Sequence, residues 1–211
     1  KNKNIVNFHG KPIIYYAIQN AIKSRLFDKV IVSTDSEKIA KISKNSGASI
    51  PYIRNKKLSY GSVGIYDVVK DVIEYECKNG IIYDYICCVL PTSPMLNYKL
   101  IKKTFEKAKK NRKNYLITCV KYSSPLLKSF KIIKNKIKLN FPSNINKQSQ
   151  NFEENYHDAG QLYWASNETW NKKKYIINNG AFVHQFKIGE TWDIDDKDDL
   201  EIAKRLFRQF L

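Results

Sequence analysis

Along most of this chain, short apolar runs of strand length alternate with stretches of helical periodicity, and that alternation restricts the fold more than any other feature. The run Lys29-Val30-Ile31-Val32-Ser33 is too short and too β-branched for a helix and suits a strand buried on both faces. Behind it, Asp35 or Ser36 stands at a helix cap, Ile39, Ala40 and Ile42 follow, and Gly47 stops the helix. Before it, Pro12 suits a first helical position, and Ile13, Ile14, Ala17, Ile18, Ala21 and Ile22 share one face. A short strand is expected at 50–53, a polar loop from Arg54, and a helix at 65–77 with Val68, Val69, Val72 and Ile73 inward. Residues 85–90 form the most hydrophobic strand, which places it at the sheet centre. A proline-bounded turn at 91–94, a helix at 97–110 and a strand at 115–122 complete this half.

The pattern then changes. Residues 129–139 carry two short strand patterns around Asn135-Lys136, a hairpin signal, and 141–155 are polar and loop-like. Strands at 161–165 and 182–188 flank a short helix at 168–173. A last helix starts near Asp196 and buries Leu200, Ala203, Leu206 or Phe207, and Phe210. The expected fold is one α/β domain over 1–211: a Rossmann-like, mainly parallel sheet with helices on both faces. Residues 128–155 form a hairpin insertion within it, suited to a dimer contact or a lid. In such sheets ligands bind beyond the carboxyl ends of the strands, where Asp35, Arg54, Thr92, Ser93, Asp158 and Asp193 are expected.

With 211 residues and 43% hydrophobic content, the chain can bury one ordinary core. Its net charge of +17 invites a nucleic-acid reading. The lysines are scattered, however, and arginines that could read bases are few. The abundance of Lys, Asn, Ile and Tyr matches the bias of an AT-rich genome. A positive field would still attract a nucleoside triphosphate and an acidic sugar. The most apolar stretch, 81–90, is strand-sized and interrupted by Asp84, so no membrane span is expected. Four cysteines without CxxC spacing point to reduced thiols and a cytoplasmic setting.

Three stretches could carry chemistry. In Tyr156-His157-Asp158-Ala159-Gly160-Gln161-Leu162-Tyr163-Trp164, an ionisable pair precedes a glycine and an aromatic strand. An ordinary loop-to-strand entry would look the same. Asp193 and Asp195, two apart on an extended segment, share a face and could hold Mg²⁺ or Mn²⁺. The competing reading is that Asp195 or Asp196 caps the last helix. Thr92 and Ser93 in the turn after the central strand could contact a phosphate or sugar, or simply shape a turn. Arg54 could contact a phosphate or sit on the surface; Lys128 and Gln148 are unremarkable alone.

In this order and spacing, the stretch at 156–164, the segment Phe27-Asp28-Lys29-Val30-Ile31-Val32-Ser33-Thr34-Asp35-Ser36 and the closing Trp192-Asp193-Ile194-Asp195 with Asp199-Leu200 resemble the acylneuraminate cytidylyltransferase family. The resemblance covers essentially the whole chain and leans toward the pseudaminic-acid branch. It implies that an acidic nine-carbon sugar, pseudaminic acid favoured, is activated with CTP to the CMP-sugar and pyrophosphate. It also implies Mg²⁺ on Asp193 and Asp195, and nucleotide contacts from Lys3, Asn4, Arg54, Thr92 and Ser93. Sugar contacts fall to Lys128, Lys147, Gln148, His157, Asp158 and Tyr163, and a homodimer is implied. The family opens with a strand and an Ala-Arg-x-x-Ser-Lys loop, which this chain is expected to lack. Met95-Leu96 replaces an arginine common after Pro94, and Lys147-Gln148-Ser149-Gln150 replaces an Arg-Ser-Gln element, so a carboxylate clamp would pass to Lys147. Within the resemblance the alternative is a cytidylyltransferase for sialic, legionaminic or octulosonic acid; outside it stand a metal-dependent glycosyltransferase and a basic nucleic-acid-binding module.

Overall fold

Burial of the Ile13–Ile18 face organises the N-terminal half. In the computed structural model, which describes residues 3–187 and 189–210, a small hairpin of β1 (Asn7–Phe8) and β2 (Lys11–Pro12) leads into helix α1 (Ile13–Ser24). Lys1, Asn2, Ile188, Leu211 and the side chain of Phe210 lie outside the described residues, and with them the expected burial of Phe210 and the end of the 182–188 strand. The order continues with α2 (Glu37–Asn45), α3 (Ile65–Lys78), β3 (Tyr85–Val89), α4 (Tyr98–Lys109) and β4 (Leu116–Lys121). Then come the hairpin β5 (Phe130–Ile133) and β6 (Lys136–Leu139), the long β7 (Tyr156–Ser166), α5 (Asn167–Lys172), β8 (Phe182–Phe186) and α6 (Lys197–Phe207). The caps follow local chemistry: Ser36, Asn97, Ser166 and Asp196 each accept a backbone N–H at the start of α2, α4, α5 and α6.

The four-stranded sheet has the order β3-β7-β4-β8. Only β4 and β8 run parallel; β7 is antiparallel to both neighbours, so the sheet is mixed. The cause is the excursion at 122–155. Chain that leaves β4 at Lys121 returns at Tyr156 opposite it, which is a hairpin connection and not a crossover. Trp164, Leu162 and Leu116 pack with α4 on one face; Tyr163, Ala165 and Trp170 pack with α3 and α5 on the other. The α/β sandwich expected from the alternation is therefore present. The segments expected as strands at 29–33 and 50–53 are not ladders: residues 29–33 contribute one isolated parallel bridge, Ile31 to Ser49, and 50–53 are irregular. The β5–β6 hairpin stands where it was expected, with every β5 residue exposed.

Candidate functional site

The site is built on a fault in β7. Its pairing with β4 is regular from Leu116 to Ile117, then jumps, so that Cys119 faces Asp158. Gly160 lies inside this bulge at φ +59°, a left-handed conformation that other residues rarely adopt. Asp158 and Tyr163 are five apart and would face opposite sides of a regular strand. The bulge brings them together: the Tyr163 hydroxyl donates to Asp158 Oδ2, and the Gly160 amide donates to Asp158 Oδ1 at 3.1 Å. Burial, with the Asp158 carboxylate next, pushes the Tyr163 hydroxyl well above its usual pKa.

Asp193 closes the group. A Cβ at Gly160 would stand 3.0 Å from Asp193 Oδ2, so the glycine lets the carboxylate seat against the β7 backbone. Burial first, and then repulsion from Asp195, raise the Asp193 pKa, with a smaller contribution from Asp158. Asp195 is exposed and paired with Lys3 at 3.0 Å. Asp196, not Asp195, caps α6; the Asp199 carboxylate accepts from the Asp195 and Asp196 amides and from Trp192 Nε1. The cap therefore leaves the Asp195 carboxylate to Lys3 and to solvent, and a cation on the Asp193/Asp195 pair would share it with the Lys3 ammonium. No group of three or more His, Cys, Asp or Glu arranged for a metal occurs among the described residues. Two carboxylates that repel each other nevertheless fit a hard divalent ion completed by water and phosphate oxygens.

One cavity borders this group, and a second is lined by other residues. The first, about 310 Å³, is lined by Asp158 and Tyr163 together with Tyr66, Lys174, Tyr175 and Ile177. The other, about 810 Å³, is largely apolar and includes Asn4, Asp35, Arg54 and Ser59 in its wall. Arg54 is held there by the Ser33 carbonyl and hydroxyl, both at 3.2 Å, and by Ser59 at 3.3 Å; its buried Nε has no partner.

The expected site residues divide accordingly. Asp158, Tyr163, Asp193, Asp195 and Lys3 converge, and Asn4 and Arg54 share the larger cavity. Thr92 and Ser93 are buried, and Ser93 donates to the Gln161 carbonyl at 3.2 Å, which ties the turn after β3 to the bulge. His157 lies within β7 and not in a loop at its mouth. It neighbours Asp158 on the opposite face, with its ring 4.8 Å from Tyr122 and Nδ1 2.9 Å from the Asp158 carbonyl. Lys128, Lys147 and Gln148 stand on the 122–155 excursion with local partners: Phe152, Asn144 and Gln150. None of their described contacts reaches Asp158 or Asp193. The sequence reading missed Tyr66, Lys174 and Gln161. Gln161 is buried, and its Oε1 has no partner. Its place in the quoted stretch was the available signal; the run Lys172-Lys173-Lys174 gave none for one lysine over its neighbours.

Comparison with known proteins gives a consistent result. A family model described as "Cytidylyltransferase" matches residues 1–209. The pseudaminic acid cytidylyltransferase of Campylobacter jejuni serotype O:2 is 34% identical over 207 residues, 98% of this chain and 89% of that protein. The N-acylneuraminate cytidylyltransferase of Escherichia coli O18:K1:H7 is 24% identical over 96% of this chain and 48% of its own length. Among solved structures, a CMP:2-keto-3-deoxy-manno-octonic acid synthetase complexed with CTP superposes with a TM-score of 0.68 at 15% identity, covering 99% of this chain and 92% of that one. A 4-diphosphocytidyl-2C-methyl-D-erythritol synthase gives 0.67 at 12% identity, covering 97% and 94%. These two likenesses concern the fold.

Proposed function

This chain belongs to the cytidylyltransferase family, and on that premise we propose that it transfers CMP from CTP to an acidic nine-carbon sugar, pseudaminic acid favoured. The observation that carries this reading is the Asp193 carboxylate seated on Gly160, with Asp158 and Tyr163 on one side and Asp195 and Lys3 on the other. The curated name of the Campylobacter relative supports the choice of sugar.

In this reading the anomeric hydroxyl of the sugar attacks the α-phosphorus of CTP. The new P–O bond forms as the bond to the β-phosphate oxygen breaks, pyrophosphate leaves with the electron pair, and the hydroxyl loses its proton. A divalent cation held by Asp193 and Asp195 would supply charge neutralisation on the phosphates. Lys3 and Arg54 add positive charge, and Asn4 lies beside Arg54 in the cavity wall. Asp158 and Tyr163, whose hydroxyl proton is already given to Asp158, accept hydrogen bonds from the sugar hydroxyls in the smaller cavity, where the Lys174 ammonium meets its carboxylate. Ser93 and Thr92 hold the turn, and His157 orients the start of β7. Lys128, Lys147 and Gln148 complete a sugar site only across a homodimer, because within one chain they are engaged on the excursion. CTP as substrate and free thiols suit a cytoplasmic setting. Among the described residues no helix is long and apolar enough to cross a membrane.

The test is pyrophosphate release with CTP and Mg²⁺ over pseudaminic, legionaminic and N-acetylneuraminic acids. Preferential turnover of pseudaminic acid is expected; preference for another sugar overturns the substrate, and silence with all three overturns the activity. Asp193→Asn should lower turnover by at least about 10²-fold with an unchanged circular dichroism spectrum.

A further inference from the structure

The bulge that carries the site leaves backbone groups without strand partners, and one side chain answers two of them. Between the pairs Ile117–Tyr163 and Cys119–Asp158, one residue of β4, Thr118, stands opposite four of β7, 159–162. One residue cannot serve four in a ladder, and the whole run from Ala159 to Ala165 is buried, away from water. Side chains take over. The Gln161 amide group reaches back along its own chain and donates from Nε2 to the Ala159 carbonyl at 2.9 Å and to the Gly160 carbonyl at 3.2 Å. The Gln161 carbonyl in turn accepts from the Leu90 amide at 2.9 Å and from the Ser93 hydroxyl at 3.2 Å.

Gln161 is 1% exposed, and its Oε1 has no partner. Two carbonyl acceptors fix which end of the side chain faces them, since only the NH2 end donates. The orphan oxygen is then an unfavourable consequence of placing an amide here. Methionine has the same length and would fill the space without it, but could not give two N–H bonds to the bulge. The donors are therefore what position 161 supplies. Both go to the peptide groups on either side of the Gly160 Cα, and so hold its left-handed φ of +59°. Gly160 touches both halves of the site. Its amide donates to Asp158, and a Cβ on it would stand 3.0, 3.1 and 3.2 Å from Asp193 Oδ2, Cγ and Oδ1, so that carboxylate lies broadside on the glycine.

We infer that Gln161 is a positioning residue for the transfer: by bracing both peptide planes of Gly160 it fixes the separation of Asp158 from Asp193, and with it the approach of the sugar hydroxyl to the α-phosphorus. This role rests on the proposed function, in which Asp158 meets the sugar and Asp193 the phosphates. Gln161 itself is enclosed and acts through Gly160. Without the brace, the groups that bind CTP and the sugar are still present but misaligned, and a displacement of about 1 Å is enough to slow a reaction by about 10²-fold. The loss therefore falls on kcat and spares both KM values.

The test compares the wild-type chain with Gln161→Met, which keeps the length and removes both donors. Pyrophosphate release with CTP, Mg²⁺ and pseudaminic acid gives kcat and the two KM values. Amide hydrogen exchange, followed by NMR on the chain without substrates, sets Gly160 against Leu116 and Ile117, whose pairing with β7 is regular. We expect kcat to fall at least about tenfold with both KM values held within about twofold. The Gly160 amide should exchange at least about tenfold faster while Leu116 and Ile117 keep their rates. If Gln161→Met does not fold, Gln161→Glu carries the same expectation, because a carboxyl group has at most one proton to give and leaves one carbonyl bare. The role is excluded if kcat stays within about twofold of wild type, if the loss appears in KM, or if Leu116 and Ile117 loosen as much as Gly160, which marks a general loss of stability. Should the wild-type chain release no pyrophosphate with pseudaminic, legionaminic or N-acetylneuraminic acid, the proposed activity falls, and exchange alone judges the brace: faster exchange at Gly160 alone upholds it, and an unchanged rate overturns it.

Discussion

Gly160 is the residue on which the site turns. Its left-handed φ and the 3.0 Å approach of Asp193 to its missing Cβ are two separate demands that only glycine meets at once. Gly160→Ala should therefore cost about 1–2 kcal/mol of stability from backbone strain and displace the Asp193 carboxylate. We expect turnover to fall by at least about tenfold, more than the thermal shift explains, in a paired pyrophosphate-release and melting measurement. His184 makes a different prediction. It is buried in β8, its Nδ1 has no partner, and burial first, with Lys107 and Lys103 adding, lowers its pKa from 6.5 to about 4. Protonation thus favours the unfolded chain. Stability present above pH 6.5 should be lost progressively as pH falls through about 4. His184→Gln should flatten that part of a urea-midpoint profile taken between pH 7 and pH 4.

Among the elements, β7 departs most from expectation. The apolar run at 161–165 predicted its core, but the strand begins at Tyr156, because the returning excursion pairs with Lys121 and extends the ladder. The bulge within it is invisible to an alternation rule: Asp158 and Tyr163 have the wrong parity to share a face, and only the register jump opposite Ile117 and Cys119 brings them together. The β5–β6 hairpin was legible from its turn residues. On it Ile132 and Ile137 are cross-strand partners, 72% and 65% exposed, more apolar surface than a two-stranded arm keeps in water without reason. We expect Ile132→Asp to leave the helical circular dichroism unchanged while shifting the mass measured by light scattering from dimer toward monomer. A wild-type chain that is monomeric at working concentration would remove the arm from this role.

For the whole molecule, charge is the term that composition alone supplies. A net charge of +17 spread over the surface attracts a triphosphate and an acidic sugar alike. The KM for CTP should rise several-fold between about 50 and 300 mM salt as the field is screened, with kcat little changed; a salt-independent KM would confine the effect to the paired Lys3 and Arg54. Local rules were enough for the helices, their buried faces and the α/β class, because each depends on residues within a turn or two of one another; they narrowed two caps to Asp35 or Ser36 and to Asp195 or Asp196, and the structure chose Ser36 and Asp196. The family, too, was legible from short motifs in fixed order. Strand pairing depends instead on hydrogen bonds between distant segments. So the tertiary structure alone decided that β7 runs antiparallel, that Gly160 faces Asp193, that His157 turns from Asp158, and that the 29–33 run and β3 line one cavity.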